Sequence, residues 1–242
     1  PILWMVITSL KTEHEALQIP PTFLPKKVTT FGYHYMWQMK PFIVYFKNSF
    51  LTSAPTAIFS TLLGGMAAYS VSRFRFRLRK LFMGFVLCTQ MIPGVLIVGP
   101  YFKVLNQFRL YDTHIALILG YTAVALPFCT WMLKGYFDSI PRELDEATLV
   151  DGCTKFTAFF KVILPLSLPG MVATGVFSFL LAWGDLLWAL CLTSSEGMST
   201  VTLGIANSVG EYRVVWPALM AAALIACVPS IVFYSFLQKY IV

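Results

Sequence analysis

The sequence predicts an all-α membrane protein, and two observations support that fold class. The 242-residue chain is 57% apolar and only 12% charged, with a mean hydropathy of +0.72. A soluble domain carries about twice that charged share, so the composition excludes a disordered chain, a secreted disulfide scaffold and an ordinary cytosolic enzyme. The chain also contains five stretches without Asp, Glu, Lys or Arg that are long enough to cross a bilayer. Backbone groups in lipid must be paired within each segment, so these spans are predicted to be helices.

Each of these stretches holds one predicted membrane span. The predicted spans are 48–72, 81–102, 113–133, 165–192 and 214–238. The fourth begins in the charge-free stretch 162–184 and continues past a single acid, Asp185. The apolar run 1–10 is too short to span and is expected to be the outer end of a first helix whose beginning is absent from the sequence. Residues 1–42 are therefore assigned to that helix end and an external segment, and residues 43–242 to the transmembrane domain.

The orientation follows from the dense basic loop between the predicted spans 48–72 and 81–102, which are the second and third helices when the partial first helix is counted. Positive residues are concentrated in short cytoplasmic loops of membrane proteins. The loop carries five of them: Arg73, Arg75, Arg77, Arg79 and Lys80. Placing this loop in the cytoplasm puts residues 11–47 and 194–213 outside and residues 134–161 inside. The net charge of +7 is thus explained by membrane topology, and no nucleic-acid partner is predicted.

The sequence offers no catalytic or metal-binding constellation. The five cysteines form no Cys-x-x-Cys pair, and His14, His34 and His114 are isolated along the chain. No phosphate-binding G-x-x-x-x-G-K-[ST] loop is found either. We therefore predict that the chain is not an enzyme, binds no metal and carries no cofactor of its own.

One loop is too long and too acidic to be a simple connection. In SIPRELDEATLVDG, Ser139 is predicted to cap a short helix, with acids filling its first turns. Glu143, Glu146, Ala147 and Val150 share one face at three- and four-residue spacing. Gly152 then supplies a left-handed turn before a second short helix, which carries three phenylalanines on its apolar side: Phe156, Phe159 and Phe160. This pattern predicts an intracellular helix–turn–helix docking surface rather than a solvated loop.

The same loop carries a recognisable spaced pattern over 146–165. It reads E-A-T, three residues, G, nine residues, then V-x-L-P. This resembles the EAA signature of ABC importer permeases, which reads E-A-A, three residues, G, nine residues, I-x-L-P. The spacing agrees throughout, and only Thr148 and Val162 depart from it, both conservatively. The runs FSFLLAWGDLLWAL and WPALMAAALIACVPS resemble the carbohydrate-transporting branch of these permeases, and in particular the maltose-type second permease subunit. This resemblance covers nearly the whole chain.

The resemblance implies a fold, a mechanism and a set of partners. The fold is the six-helix transmembrane domain of type I importers, and loop 138–165 contains the coupling helix that docks on a cytoplasmic ATPase. The implied coupling residues are Glu143, Glu146, Ala147, Asp151, Gly152, Leu164 and Pro165. ATP and Mg²⁺ are then bound by the ATPase dimer, not by this chain. The other implied partners are a second, homologous permease subunit, an extracytoplasmic sugar-binding protein and the lipid of a prokaryotic inner membrane.

The substrate path is predicted around the single acid of the spans. An ionisable residue inside a span is a functional hypothesis in its own right. Asp185 lies between Trp183 and Trp188, whose rings suit the C–H face of a sugar, and Asn207, Thr193 and Gln90 are weaker candidates. Asp185 lining the path and Asp185 paired with a neighbouring helix remain equal alternatives. A different class of function, an ion-gradient-driven secondary transporter or channel using Asp185, is the alternative to the ABC permease.

Overall fold

The computed structural model describes residues 1–150, 152–209 and 214–241, and these ranges contain helices and connecting segments without a β-strand. The α-helices of this part are α1 (Ile2–Ser9), α2 (Glu13–Ala16), α3 (Phe31–Met39), α4 (Phe42–Arg73), α5 (Arg79–Gln90), α6 (Gly94–Gln107), α7 (His114–Ser139), α8 (Glu143–Val150), α9 (Lys155–Ala158), α10 (Leu164–Leu166), α11 (Leu168–Gly184), α12 (Leu187–Leu192), α13 (Val201–Ala206) and α14 (Trp216–Ile241). A π-helical turn covers Phe159–Ile163, and a 3₁₀ turn covers Glu196–Met198. The all-α class predicted from composition is confirmed.

Among the described residues, three helices, α4, α7 and α14, are long and apolar enough to cross a membrane. Two further candidates are bent pairs, in which α5 meets α6 at 98° and the segment 156–166 meets α11 at 78°. Counting each bent pair as one span brings the total to five. The stretch 81–102 is therefore two helices separated at residues 91–93, rather than the one helix that its apolar run predicts.

The stretch 165–192 is also interrupted, at its single acid. Helix α11 ends at Gly184, and α12 begins at Leu187. Asp185 has an extended backbone with φ −72° and ψ 137°. The physical reason is that the Asp185 carboxylate accepts backbone N–H groups of α12, as described below, which starts a new helix instead of continuing the first.

Helix α4 lies at the centre of the bundle and packs along α7 and α11. A Cβ atom added at Gly64 would lie 2.7 Å from the Cβ of Cys129, so a glycine is required for the two helices to approach this closely. Three buried hydroxyls of this helix are paired within it, because Thr52, Thr56 and Ser60 each donate to the carbonyl four residues earlier. The buried hydroxyls of Ser53 and Thr61 have no hydrogen-bond partner among the described residues.

The segment 1–42 packs around α14. The Ser9 hydroxyl of α1 lies 3.1 Å from the Tyr33 hydroxyl of α3. Gly32 of α3 lies directly against the start of α14, since a Cβ at this position would be 2.5 Å from the Pro217 carbonyl oxygen. Helices α1, α2 and α3 therefore all pack against α14.

Candidate functional site

The acidic loop folds as two short helices around a left-handed glycine. Helix α8 starts at Glu143, and the N–H of Cys153 donates to the Thr148 carbonyl at 3.0 Å, which closes the turn after the helix. Gly152 has φ +80°, so the left-handed turn predicted here is confirmed. Asp151, one of the predicted coupling residues, lies outside the described residues.

The start of the loop differs from the prediction. Ser139 is the last residue of α7, and its hydroxyl donates to the Tyr136 carbonyl at 2.7 Å. It therefore does not cap α8. The prediction failed because α7 continues well beyond its apolar stretch and absorbs the serine into its final turn.

The second half of the loop divides its phenylalanines between the inside and the outside. Phe159 is buried, whereas Phe156 and Phe160 are 68% and 40% exposed. They are thus not one buried apolar side, because the π-helical turn at Phe159–Ile163 changes the helical register. Leu164 is half-buried and Pro165 exposed in α10, just before the bend at Ser167.

The predicted coupling face of α8 is exposed, and Glu146 lies at the edge of a cleft that Tyr69 and Arg73 of α4 also line. Glu143, Glu146, Ala147 and Val150 are all exposed, and Thr148 on the opposite side is buried. We call these four exposed residues the coupling face. It combines two carboxylates with the small side chain of Ala147 and the apolar side chain of Val150.

The opposite side of α8 is fixed to the end of α4 by an ion pair that the sequence does not reveal. Arg73 Nε lies 2.8 Å from Asp145 Oδ2, with 7% and 18% of the two side chains exposed. The Tyr69 hydroxyl donates to Asp145 Oδ1 at 2.9 Å. Arg73 and Asp145 are 72 positions apart, so no local pattern predicts their pairing. The basic loop that indicates orientation thus also supplies a structural partner.

A second set of contacts joins α4 to the end of α7. The Ser72 hydroxyl donates to Asp138 Oδ1 at 2.6 Å, and Lys134 forms an i,i+4 ion pair with the same carboxylate. Arg142 donates through Nη2 to the Ser72 carbonyl at 3.2 Å. These contacts hold the end of α7 and the beginning of the acidic loop against α4.

Asp185, the single acid of the predicted spans, caps a helix. Its Oδ1 accepts hydrogen bonds from the backbone N–H groups of Trp188 at 2.8 Å and Ala189 at 3.4 Å. These are N-terminal donors of α12 that no residue of that helix can satisfy. Its own carbonyl accepts from the Thr202 hydroxyl, so Asp185 also joins α13. This geometry favours the structural alternative for Asp185.

The two flanking tryptophans are buried in different clusters. Trp183 is 4% exposed, stacks on Phe179 and donates through Nε1 to the Ala226 carbonyl at 3.0 Å. Trp188 is equally buried and packs edge-on against Tyr101, with ring centroids 5.1 Å apart. Trp183 therefore joins α11 to α14, and Trp188 joins α12 to α6.

A cleft of about 570 Å³ opens where α5 and α6 meet. Its wall contains the aromatic pair Tyr101 and Trp188, together with the polar side chains of Thr89 and Gln90. The Gln90 amide is exposed and donates to the Val124 carbonyl at 3.3 Å. Aromatic faces with a few polar groups are typical of a small-molecule site.

The remaining path candidates lie elsewhere. Asn207 is exposed and lines a cleft between the external segment and α14, together with Tyr35 and Ser208. Thr193 is buried and donates to the Ala189 carbonyl at 2.7 Å. The structure thus places Gln90 and Trp188 on one cleft and Asn207 on another.

The far end of α4 holds the segment that follows α12. Asn48 donates to the carbonyls of Gly197 and Ser199, at 2.7 and 3.0 Å. Its Oδ1 lies 2.9 Å from His114 Nε2, so this histidine has a specific partner and is not an isolated surface imidazole. The Tyr45 hydroxyl donates to Glu196, which lowers the pKa of that carboxyl, and Lys40 acts in the same direction.

Within the described ranges, no group of three or more His, Cys, Asp or Glu side chains is arranged to hold a metal ion. The described part of the chain thus presents an exposed acidic face at one end of α4, a polar joint at the other, and an aromatic cleft beside α5 and α6. Its long apolar helices define it as a helical membrane protein.

Comparison with known proteins gives the class and the family. The fold matches the crystal structure of a bacterial ABC transporter involved in the import of the acidic polysaccharide alginate, with a TM-score of 0.86 over 100% of this chain and 90% of that one, at 20% identity. Residues 60–242 match the family model described as binding-protein-dependent transport system inner membrane component. The chain belongs to this family. It is an ABC transporter permease subunit, a multi-pass protein of the inner membrane.

Several relatives match over the whole length of this chain. It is 34% identical to the sulfoquinovosyl glycerol transport system permease protein SmoH of Agrobacterium fabrum, over 100% of this chain and 85% of the relative. It is 35% identical to the trehalose transport system permease protein SugB of Mycobacterium tuberculosis, covering 88% of it. It is 33% identical to the inner membrane ABC transporter permease protein YcjP of Escherichia coli, covering 87% of it.

Proposed function

We propose that the chain is the membrane-spanning subunit of an ATP-driven importer of sugars or small glycosides. It pairs with a second permease subunit, receives solute from an external binding protein, and is driven by a cytoplasmic ATPase dimer. ATP binding closes the ATPase pair, the docked loops move, and the two permease subunits change from an inward-facing to an outward-facing arrangement. The chain supplies the pathway and the docking loop, while ATP and Mg²⁺ bind to the ATPase.

The observation that carries the proposal is the exposed coupling face of α8. Two carboxylates, Glu143 and Glu146, stand on a helix that is fixed to the bundle on its other side by Asp145. A loop that only connected two spans would have no need for this two-sided construction. Its acidic surface is suited to a basic cleft on a partner.

Two further observations support the solute class. The relatives include permease proteins for sulfoquinovosyl glycerol, for trehalose and, in Streptomyces coelicolor, for diacetylchitobiose. The cleft beside α5 and α6 has the composition of a carbohydrate site, with the Tyr101 and Trp188 rings beside the Gln90 amide. We propose that this cleft lines the solute path, in place of Asp185, Trp183 and Asn207.

The test of the docking role is a charge reversal on the coupling face. The chain is produced with its partner permease, ATPase and binding protein, and the complex is reconstituted in liposomes. We expect Glu146→Lys to insert normally but to lose the ATPase on purification, or to lose ATP hydrolysis stimulated by the loaded binding protein. Glu196→Lys, at the opposite end of α4, is the control and should retain the ATPase. Normal transport by Glu146→Lys would refute the docking role.

The solute class is tested separately, with trehalose, maltose and diacetylchitobiose as the probes. We expect one or more of them to stimulate ATP hydrolysis by the complete complex, and none to be carried by this chain alone. The alternative, an ion-gradient-driven transporter using Asp185, predicts uptake by the purified chain without ATP. The capping role of Asp185 speaks against that alternative, since its carboxylate is already engaged by two backbone donors.

A further inference from the structure

We infer that Asp145 is a positioning residue, through which movement of the coupling face is transmitted to α4. This inference rests on the proposed function and adds a specific mechanical joint to it. Both oxygens of the Asp145 carboxylate are used, one by the Arg73 guanidinium at 2.8 Å and the other by the Tyr69 hydroxyl at 2.9 Å. Arg73 forms an ion pair with the carboxylate and Tyr69 donates a hydrogen bond to it, and the two residues lie one helical turn apart on α4. The carboxylate is therefore held at two points of the same helix.

The joint is reinforced by backbone contacts in both directions. Arg73 donates through Nη2 to the Ile140 carbonyl at 3.0 Å, and Arg142 donates to the Ser72 carbonyl at 3.2 Å. Only 7% of the Arg73 side chain is exposed. A charge this deeply covered is costly to leave without its partner, unlike a surface ion pair that water can replace. The loop and the end of α4 therefore move together.

Neighbouring residues on α8 have different tasks. Successive residues of a helix point about 100° apart, so the Asp145 carboxylate contacts α4 while Glu146 is exposed beside it, at the edge of the same cleft. A partner that docks on the coupling face grips one side of α8, and the ion pair holds the other side. A force applied to Glu146 is thus passed directly to Arg73.

Helix α4 carries that displacement across the molecule. It runs without a break from Phe42 to Arg73, a length of about 48 Å. Its far end holds the segment 196–201 through Asn48, and the Ser49 hydroxyl accepts the Val201 N–H at 2.8 Å. One continuous helix therefore joins the acidic loop to the loop at the opposite end of the bundle.

The test separates positioning from docking in the reconstituted complex. We expect Asp145→Asn and Arg73→Gln to retain the ATPase subunits and their basal hydrolysis. Hydrolysis stimulated by the binding protein loaded with trehalose or maltose, whichever stimulates the unmodified complex, should fall about tenfold. Arg77→Gln, which removes an exposed charge of the same loop, is the matched control and should leave that stimulation unchanged. The charge-swapped double variant Arg73→Asp with Asp145→Arg should regain most of the stimulation.

The outcomes are distinct from those of the docking test. If Asp145→Asn keeps full stimulation and transport, the inference is wrong. If it loses the ATPase subunits as Glu146→Lys is expected to, Asp145 belongs to the docking surface and the positioning role is overturned. Should Asp145→Asn fail to insert, Tyr69→Phe removes one hydroxyl only and should lower stimulation about threefold. Unchanged stimulation in Tyr69→Phe would then contradict the inference.

Discussion

Gly120 of α7 lies directly beneath the ring of Trp188, and a Cβ atom at this position would be 2.7 Å from Trp188 Cε3. The ring is 4% exposed and packs edge-on against Tyr101, so an added methyl group would force it to shift within this contact. We therefore expect Gly120→Ala to lower the free energy of unfolding by about 1–3 kcal/mol. Thermal unfolding of the detergent-solubilised protein measures the change.

The same helix offers the control for this prediction. A Cβ at Gly135 would meet nothing within 4 Å. Replacing a helical glycine with alanine in open space is favourable by up to about 1 kcal/mol. Gly135→Ala should therefore be neutral or stabilising, and equal stability of the two variants would show that the contact with Trp188 is not tight.

Substitutions of Gly152 test whether the left-handed turn after α8 requires a glycine. Its φ of +80° is unfavourable for any residue with a Cβ, although a Cβ here would meet no atom within 4 Å. Gly152→Ala should thus cost about 1–2 kcal/mol through the backbone alone. Gly152→Asn should cost less, because asparagine tolerates this conformation better.

The measurement for Gly152 is the amount of ATPase that co-purifies with each variant. We expect retention in the order Gly, Asn, Ala. Gly84→Ala, which also meets no atom within 4 Å but lies within α5, should retain the ATPase fully. An alanine variant as competent as the unmodified chain would mean that the turn is not needed for docking.

The helices were largely predictable from apolar runs, but their interruptions were not. Pro55 and Pro127 lie within continuous helices, whereas the chain breaks just before Pro93 and bends by 98°. A proline removes one backbone donor wherever it occurs. Whether the helix then breaks depends on packing against its neighbours, which sequence patterns do not contain.

The candidate site was predictable to the extent that it is local. The exposed face of α8 and the turn at Gly152 follow from spacing over a few residues. Asp145 stands in the same acidic run, but its partner Arg73 is contributed by a different helix, so only the folded chain distinguishes it from Glu146. The sequence does not decide the role of Asp185 for the same reason, since its hydrogen bonds to Trp188 and Ala189 depend on a helix break that its apolar flanks do not predict.

A substitution in the cleft beside α5 and α6 should change the affinity for the solute without changing the stability of the protein. Gln90 is exposed and makes one long hydrogen bond, so Gln90→Ala should leave thermal unfolding unchanged. If its amide contacts the solute, loss of one hydrogen bond should raise the KM of transport about 2- to 10-fold. Uptake of the transported probe into liposomes, measured over a range of loaded binding protein, gives this KM.

Trp183→Phe is the matched variant for that experiment. It removes the hydrogen bond from Nε1 to the Ala226 carbonyl, which should cost about 1 kcal/mol of stability. Trp183 lies away from the cleft, so KM should not change. A raised KM in Trp183→Phe with an unchanged KM in Gln90→Ala would return the solute path to the surroundings of Asp185.

Glu15 predicts a dependence of stability on pH at the external segment. Its Oε1 accepts the Lys26 N–H and the Thr22 hydroxyl, both at 2.8 Å. The Lys26 bond is the largest of the effects that hold the pKa of this carboxyl below its ordinary value of 4.5. Because the folded pKa is lower than the unfolded one, the stabilisation is fully present above pH 4.5 and is lost as the pH falls through the folded pKa.

The comparison of Glu15 with Glu15→Gln isolates this effect. At pH 7 the unmodified protein should unfold at a higher temperature than Glu15→Gln, since only the glutamate carries the charge that the Lys26 and Thr22 donors stabilise. The difference should shrink as the pH falls below 4.5 and disappear once the pH lies below the folded pKa, where the carboxyl is protonated in both states. Thermal unfolding of both proteins at a series of pH values measures it. A difference that stays constant as the pH is lowered from 7 through the acid range would show that the charge of Glu15 contributes nothing and that only the shape of the side chain matters.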